Sequence, residues 1–97
     1  MFPENMKNRN KMMKFEHETC TPCKDVDVYI ERLTNDYPGF AVEYVDVFTD
    51  KGAELANEHK VRSTPTVLFM VDGEVKDRIA GFGTYEMYEN VLKEYFI

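Results

Sequence analysis

The stretch that decides the fold is residues 12–36, MMKFEHETCTPCKDVDVYIERLTND. It begins with apolar and charged side chains that alternate, which predicts a β-strand over residues 12–17. It continues with apolar side chains at helical spacing, which predicts a helix over residues 22–36. A Cys-x-x-Cys motif, formed by Cys20 and Cys23, lies between the two predicted elements. The stretch therefore places two thiols at a strand-to-helix junction.

The remaining sequence predicts three more strands and two more helices. In chain order they cover residues 41–47, 51–59, 66–71 and 74–80, followed by a last helix that Thr84 caps. The unbroken apolar run of the third strand predicts burial on both of its faces, and Asp72-Gly73 predicts a two-residue hairpin turn after it. The last helix is expected to turn one set of side chains inward: Met87, Tyr88, Val91, Leu92 and Tyr95. The order β-α-β-α-β-β-α predicts an α/β fold with a central four-stranded mixed sheet flanked by helices.

The size and charge of the chain limit what it can do. Its 97 residues fit a single domain over residues 1–97, in which residues 1–10 form a lead-in to the first strand. The net charge of −6 argues against a nucleic-acid partner, because neutralising phosphates requires clustered lysine and arginine. We interpret the short basic run over residues 7–14 as a solvated approach to the first strand.

The chain shows no signal for secretion or for a membrane. Its N-terminal residues 1–14 lack the apolar segment of a signal peptide, and no apolar run approaches the ~18 residues of a transmembrane helix. We therefore expect a cytoplasmic protein without a membrane partner. In that reducing compartment, two closely spaced cysteines are more often redox-active or metal-binding than structural.

The placement of the cysteines predicts their chemistry. The free N–H groups and the dipole at a helix N-terminus stabilise a thiolate, which is the nucleophilic form of cysteine. Cys20 lies toward the loop and is the predicted attacking thiol, whereas Cys23 lies in the first helical turn and is the predicted resolving thiol. Pro22 suits that turn because its missing N–H would have no helical partner there. Lys24 is a candidate for favouring the thiolate, and a solvated lysine explains it equally well.

A second motif, Ser63-Thr64-Pro65-Thr66, opens the third predicted strand. Proline cannot occupy the interior of a sheet, so Pro65 belongs at the strand start. Residues 61–81, VRSTPTVLFMVDGEVKDRIAG, and the strand–CxxC–Lys–helix pattern before them closely resemble the thioredoxin family. The resemblance covers roughly residues 11–97, and the two motifs together are far more specific than either alone.

The resemblance implies a thioredoxin fold and a protein-disulfide oxidoreductase. It implies that Pro65 is cis and lies beside the cysteine pair, so that the Thr64 backbone pairs with an extended substrate segment. Gly81 is expected near the same groove. Separately from the resemblance, the position of Phe82 between two glycines makes it a candidate for an exposed substrate contact there. The implied partners are protein disulfides and, as electron donor, a thioredoxin reductase or the glutathione system. We expect a monomer with no cofactor and no metal.

The sequence departs from the family pattern around the cysteines. Thr19 replaces the usual tryptophan, Thr21 replaces a glycine, and Lys14 takes the place of a buried acid that is thought to move protons for the resolving thiol. Glu16 lies on the same strand face as Lys14 and is the candidate to take over proton transfer with Cys23; the alternative is a solvent-facing edge residue. The usual reduction potential and partners of the family therefore do not carry over automatically.

Two other functions remain open from the sequence. A glutaredoxin-like protein recharged by glutathione shares the fold and the dithiol, but Gly81-Phe82-Gly83 stands where that family holds glutathione with paired glycines. The other alternative is a CxxC metal chaperone, because residues 19–23, TCTPC, also resemble the loop of copper carriers. Carriers of that kind end in a strand, whereas this chain is predicted to end in a helix.

Overall fold

The computed structural model describes residues 9–81 and 83–97. Most of the predicted lead-in, residues 1–8, and the predicted substrate contact Phe82 lie outside the described residues. The elements are strand β1 (Asn10–Glu16), helix α1 (Thr21–Asp36), strand β2 (Ala41–Asp46), helix α2 (Asp50–Glu58), strands β3 (Thr66–Val71) and β4 (Glu74–Ala80), and helix α3 (Tyr85–Phe96). The predicted order is confirmed, and β3 and β4 have the predicted bounds.

The strands form a four-stranded mixed sheet in the order β2-β1-β3-β4. β1 pairs in parallel with β2 through the crossover helix α1. β1 also pairs antiparallel with β3, so that Phe15 near the end of β1 lies opposite Thr66 at the start of β3. Asp72 and Gly73 both have positive φ, as a two-residue hairpin turn between β3 and β4 requires. The sheet therefore has the predicted thioredoxin-type topology.

Helices cover both faces of the sheet and close two apolar cores. The larger core joins α1 and α3 to the sheet and contains Met12, Val26, Ile30, Leu33, Phe40, Val67, Phe69, Ile79, Tyr88, Leu92 and Phe96. The smaller core lies under α2 and contains Met13, Phe15, Val45, Ala56, Leu68 and Met70. β1 and β3 contribute to both cores and are therefore buried on both faces. In the described part of the chain, no helix has the length and apolar character needed to cross a membrane.

Two sequence-based expectations about burial are wrong. Lys14, which we assigned to a solvated basic run, is completely buried. The alternating pattern of β1 does not separate a solvent-exposed face from a buried one, because both faces of this central strand are covered. Met87, expected to face inward, is 46% exposed. The buried stripe of α3 runs instead through Tyr88, Leu92 and Phe96.

Tyr88 is a fully buried tyrosine in the larger core. Its ring centroid lies 5.9 Å from that of Tyr29 and 6.3 Å from that of Phe69. Its hydroxyl group has no hydrogen-bond partner among the described residues. Burial, and to a smaller degree the nearby Tyr29, raises the pKa of Tyr88 from 10.0 to about 12. The folded protein therefore keeps this proton at a pH where the unfolded chain has lost it.

We predict that Tyr88→Phe reduces the loss of stability at alkaline pH. Between pH 10.0 and about 12, the unfolded chain releases the Tyr88 proton while the folded protein retains it, so the free energy of unfolding falls as the pH rises. Phenylalanine removes this contribution. It also removes an unpaired buried hydroxyl, so stability near pH 7 should be unchanged or slightly higher.

Denaturant titrations near neutral pH and near pH 11 measure both effects. Tyr95→Phe, at a partly buried tyrosine of the same helix, is the control and should retain the alkaline loss. The same alkaline loss in Tyr88→Phe as in the unsubstituted protein would contradict the prediction.

Candidate active site

The two cysteines lie where β1 leads into α1. Cys20 is the N-cap residue of α1, and Cys23 is in its first turn. They form a disulfide with their Cα atoms 5.3 Å apart. The Cys23 backbone N–H donates a hydrogen bond to Cys20 Sγ at 3.2 Å, and the Cys20 N–H donates to the His17 carbonyl at 3.1 Å. These bonds hold Cys20 Sγ against the N-terminal end of the helix.

This position favours a negative charge on Cys20. The first N–H groups of a helix lack partners within it, and they carry the positive end of the helix dipole. Both features stabilise a thiolate at the N-cap. Pro22 lies in the first turn without costing the helix a hydrogen bond. Cys20 and Cys23 are 5% and 3% exposed, so their place relative to the helix end distinguishes them more than their exposure does.

The Thr64–Pro65 peptide bond is cis, as the family resemblance implied. The Pro65 carbonyl accepts a hydrogen bond from the Gly81 N–H at 2.8 Å. Gly81 has a φ of +75°, a left-handed conformation that favours glycine. Because β1 and β3 are antiparallel, the end of β1 that leads to the cysteines lies beside the start of β3. Thr64, Pro65 and Gly81 therefore gather at the end of the sheet that carries the disulfide.

The buried Lys14 lies next to Cys23 and bonds to three oxygen atoms. Its Nζ donates to the Cys23 carbonyl at 2.8 Å and to Glu16 Oε1 at 2.7 Å, and it also pairs with Asp27 Oδ1. The Nζ atom lies 5.6 Å from the centre of the Tyr44 ring. A buried ammonium is tolerated only with such partners. These contacts explain how a lysine occupies the core beside the cysteines.

An open groove of about 360 Å³ lies beside the disulfide. Both cysteines line it, together with mostly charged side chains: Glu16, His17, Glu18, Lys24, Asp27 and Asp46. Glu16 is thus on the same groove wall as Cys23, partly exposed and paired with Lys14. Lys24 is exposed in the first turn of α1, as the solvated interpretation expects. The groove is open to solvent beside the cysteine pair.

Sequence reasoning missed two residues of this region. Asp27 lies one helical turn after Cys23, a spacing that was a usable signal. Phe48 is 75% exposed and stacks on His17 with ring centroids 4.8 Å apart. No sequence signal links residues 17 and 48, because their contact arises from the parallel pairing of β1 with β2. Residues 9–81 and 83–97 contain no cluster of three potential metal ligands that could hold an ion.

Comparisons with known proteins give a consistent picture. The family model described as Thioredoxin matches residues 1–94. The chain is 32% identical over 94 residues to a thioredoxin of Staphylococcus haemolyticus, a match that covers 97% of this chain and 89% of that protein. It is 36% identical over 76 residues to a putative thioredoxin H10 of Arabidopsis thaliana, covering 78% of this chain and 48% of that relative. The chain thus spans about half the length of the plant relative.

Solved structures show the same fold. The crystal structure of oxidised thioredoxin O2 from Arabidopsis thaliana matches with a TM-score of 0.83 at 21% sequence identity. The match covers 97% of this chain and 83% of that one. The likeness therefore includes every element of the sheet and its helices.

We predict that a limiting amount of iodoacetamide modifies Cys20 before Cys23 once the disulfide has been reduced. The helix N-terminus stabilises the Cys20 thiolate, so the reaction should proceed well below pH ~8.5, the pKa of an ordinary cysteine. Peptide mass mapping after brief exposure at a series of pH values measures the order of labelling. The unfolded, reduced chain is the control, in which both thiols should react alike. Preferential labelling of Cys23 in the folded protein would contradict the prediction.

Proposed function

The chain belongs to the thioredoxin family of thiol–disulfide oxidoreductases, and we propose that it reduces disulfides of protein substrates through Cys20 and Cys23. The observation that carries the proposal is the placement of two features at one end of the sheet. The cysteine pair lies at the N-terminus of α1, and the cis-Pro65 turn lies at the start of the neighbouring strand. This arrangement supports a mechanism in which a thiol activated by the helix N-terminus acts beside free backbone that an extended substrate can pair with.

In the proposed reaction, the Cys20 thiolate attacks one sulfur of the substrate disulfide. A bond forms between Cys20 and that sulfur, and the other substrate sulfur leaves as a thiolate that takes up a proton. Cys23 then loses its proton and attacks Cys20 Sγ. The Cys20–Cys23 bond forms, and the second substrate sulfur leaves. The substrate gains two electrons, and its two sulfurs take up two protons: one balances the proton that Cys23 loses, and the other comes from solvent because Cys20 reacts as a thiolate. The protein is left with the disulfide that the structure contains.

We propose Thr64, Pro65 and Gly81 as the substrate-binding residues. The pairing of β3 with β1 begins at Thr66, so the Thr64 backbone lies outside the sheet and is available to a substrate strand. Main-chain pairing of this kind gives affinity without strict sequence demands. The hydrogen bond from the Gly81 N–H to the Pro65 carbonyl supports this surface from the side of β4.

Glu16 is the proposed proton acceptor for Cys23. It lines the same groove as Cys23, and its side chain is 28% exposed, which connects it with solvent protons. Its hydrogen bond to Lys14 holds its carboxylate in place. Two other residues play supporting parts: Pro22 stiffens the turn between the cysteines, and Lys24 adds a positive charge to the groove wall.

The proposal extends to the partners of the protein. A thioredoxin reductase or the glutathione system returns the oxidised protein to the dithiol. Residues 1–97 act as one domain, as a monomer in the cytoplasm, without a cofactor, a metal, a nucleic acid or a membrane partner. The net charge of −6 supports the exclusion of nucleic acid.

We predict that the protein reduces insulin disulfides when it is supplied with a thioredoxin reductase and NADPH. Cys20→Ser removes the attacking thiol and should abolish turnover. Cys23→Ser should stall at the mixed disulfide, because no second thiol can release the substrate. The assay follows NADPH oxidation and insulin precipitation. Turnover only with glutathione and its reductase would favour the glutaredoxin-like alternative, and activity with neither donor, together with tight copper or zinc binding, would contradict the enzyme assignment.

We predict that Glu16→Gln slows the second step of the reaction. Glutamine cannot accept the Cys23 proton, and proton transfer by a placed side chain contributes about a hundredfold or more in rate. Stopped-flow release of a chromophoric thiol from a mixed disulfide on Cys20 measures this step. Glu18→Gln, at another carboxylate of the same groove, is the matched control and should release the thiol at the normal rate. An unchanged rate in Glu16→Gln across pH would remove Glu16 from the mechanism.

A further inference from the structure

Lys14 places a positive charge beside Cys23 that the mechanism above does not use. Its Nζ lies 2.8 Å from the Cys23 carbonyl oxygen. That oxygen and Cys23 Sγ belong to one residue, so the ammonium group lies in the immediate neighbourhood of the sulfur. A charge at this separation in a poorly solvated site changes the energy of a thiolate substantially.

The partners of Lys14 lie nearer to water than Lys14 itself. The Lys14 side chain is 0% exposed, whereas the side chains of Glu16 and Asp27 are 28% and 45% exposed. Water screens the field of the two carboxylates more than the field of the buried ammonium. Of these three charges, the ammonium is therefore the one that water screens least.

Other ionisable groups surround the same sulfur and set the background field. β1 and the loop after it contribute Glu16, His17 and Glu18, α1 contributes Lys24 and Asp27, and β2 contributes Tyr44 and Asp46. Burial, and then the charges of Asp27, Glu16 and Glu31, raise the pKa of Tyr44, so its ring is neutral where a thiol titrates. Among the described residues, Lys14 is the one fully buried charged side chain.

We propose that Lys14 is a positioning residue that anchors the first turn of α1 through the Cys23 carbonyl and favours the thiolate of Cys23. The inference rests on the proposed resolving role of Cys23. In that step the Cys23 thiolate attacks Cys20 Sγ, the bond between Cys20 and the substrate breaks, and the substrate sulfur leaves with the electron pair. The ammonium increases the fraction of Cys23 that is ready to attack, and the partly exposed Glu16 receives the proton.

The test is an ultraviolet titration of the Cys23 thiolate in a Cys20→Ala background, where Cys23 is the remaining thiol. Lys14→Met should raise the thiol pKa by about one unit, which means about tenfold less thiolate below that pKa. Lys14→Arg keeps the charge and should stay near the parent value. Asp27→Asn removes an opposing charge and should lower the pKa. If Lys14 had only a structural role, Lys14→Met and Asp27→Asn would not shift the pKa of Cys23 in opposite directions.

Lys11→Met is the matched control, because Lys11 is a partly exposed lysine of the same strand that pairs with Glu43 at 3.0 Å, away from the groove. Its Cys23 titration should be unchanged. An unchanged titration in Lys14→Met overturns the proposal; if that variant does not fold, an unchanged titration in Asp27→Asn overturns it. The titration uses no substrate and no reductase. Opposite shifts in the Cys20→Ala background, together with a failure of the unsubstituted protein to reduce insulin, would thus support the role of Lys14 and still overturn the proposed function.

Discussion

The pairing of β1 with β2 on one edge and with β3 on the other is the constraint on which the site depends. A strand held on both edges and covered on both faces has little freedom to shift. The chain passes from β1 directly into the turn that carries Cys20, so the sheet fixes the position of this cysteine. β3 begins beside that turn, directly after Pro65, and this places the proposed substrate surface next to the cysteines. The catalytic geometry is a consequence of strand register.

The charges of the site are also charges of the core. A buried lysine is costly unless its donors are satisfied, and here the Cys23 carbonyl, Glu16 and Asp27 satisfy them. Removing Glu16 or Asp27 leaves the buried ammonium with fewer acceptors, which destabilises the folded protein. Changes at these positions therefore affect stability, and under the proposed role of Lys14 they also affect the chemistry of Cys23. This chain has a cation where its family usually buries an acid, and it supplies the balancing carboxylates from α1 and from the end of β1.

Local patterns were sufficient for the fold. The alternation in β1, the apolar run of β3 and the Asp72-Gly73 turn depend on near neighbours in sequence, and each predicted its element correctly. Cys20, Cys23 and Pro65 were likewise found because short motifs carry them. The burial of Lys14 could not be read locally, because it results from helices packing on both faces of β1.

Contacts between segments that are distant in the sequence could not be predicted for the same reason. The His17–Phe48 stack exists only because the ends of two parallel strands meet. Asp27 was within reach, since its helical spacing places it over Cys23, but a carboxylate is informative there only once the buried lysine is known. The roles of Glu16 and Lys24 depend on side-chain neighbours in the same way. Sequence therefore predicted the reacting sulfurs better than their electrostatic surroundings.

The chain consists of two contiguous halves that meet where β1 pairs antiparallel with β3. The first half, with β1, α1 and β2, holds both sulfurs, and the second, with β3, β4 and α3, holds the cis-proline turn. Neither half contains a complete site. The two halves pack against each other through the β1–β3 strand pair and the core around it, and α2 connects them along the chain. A cysteine pair beside a cis-proline turn therefore exists only when the two halves have packed together.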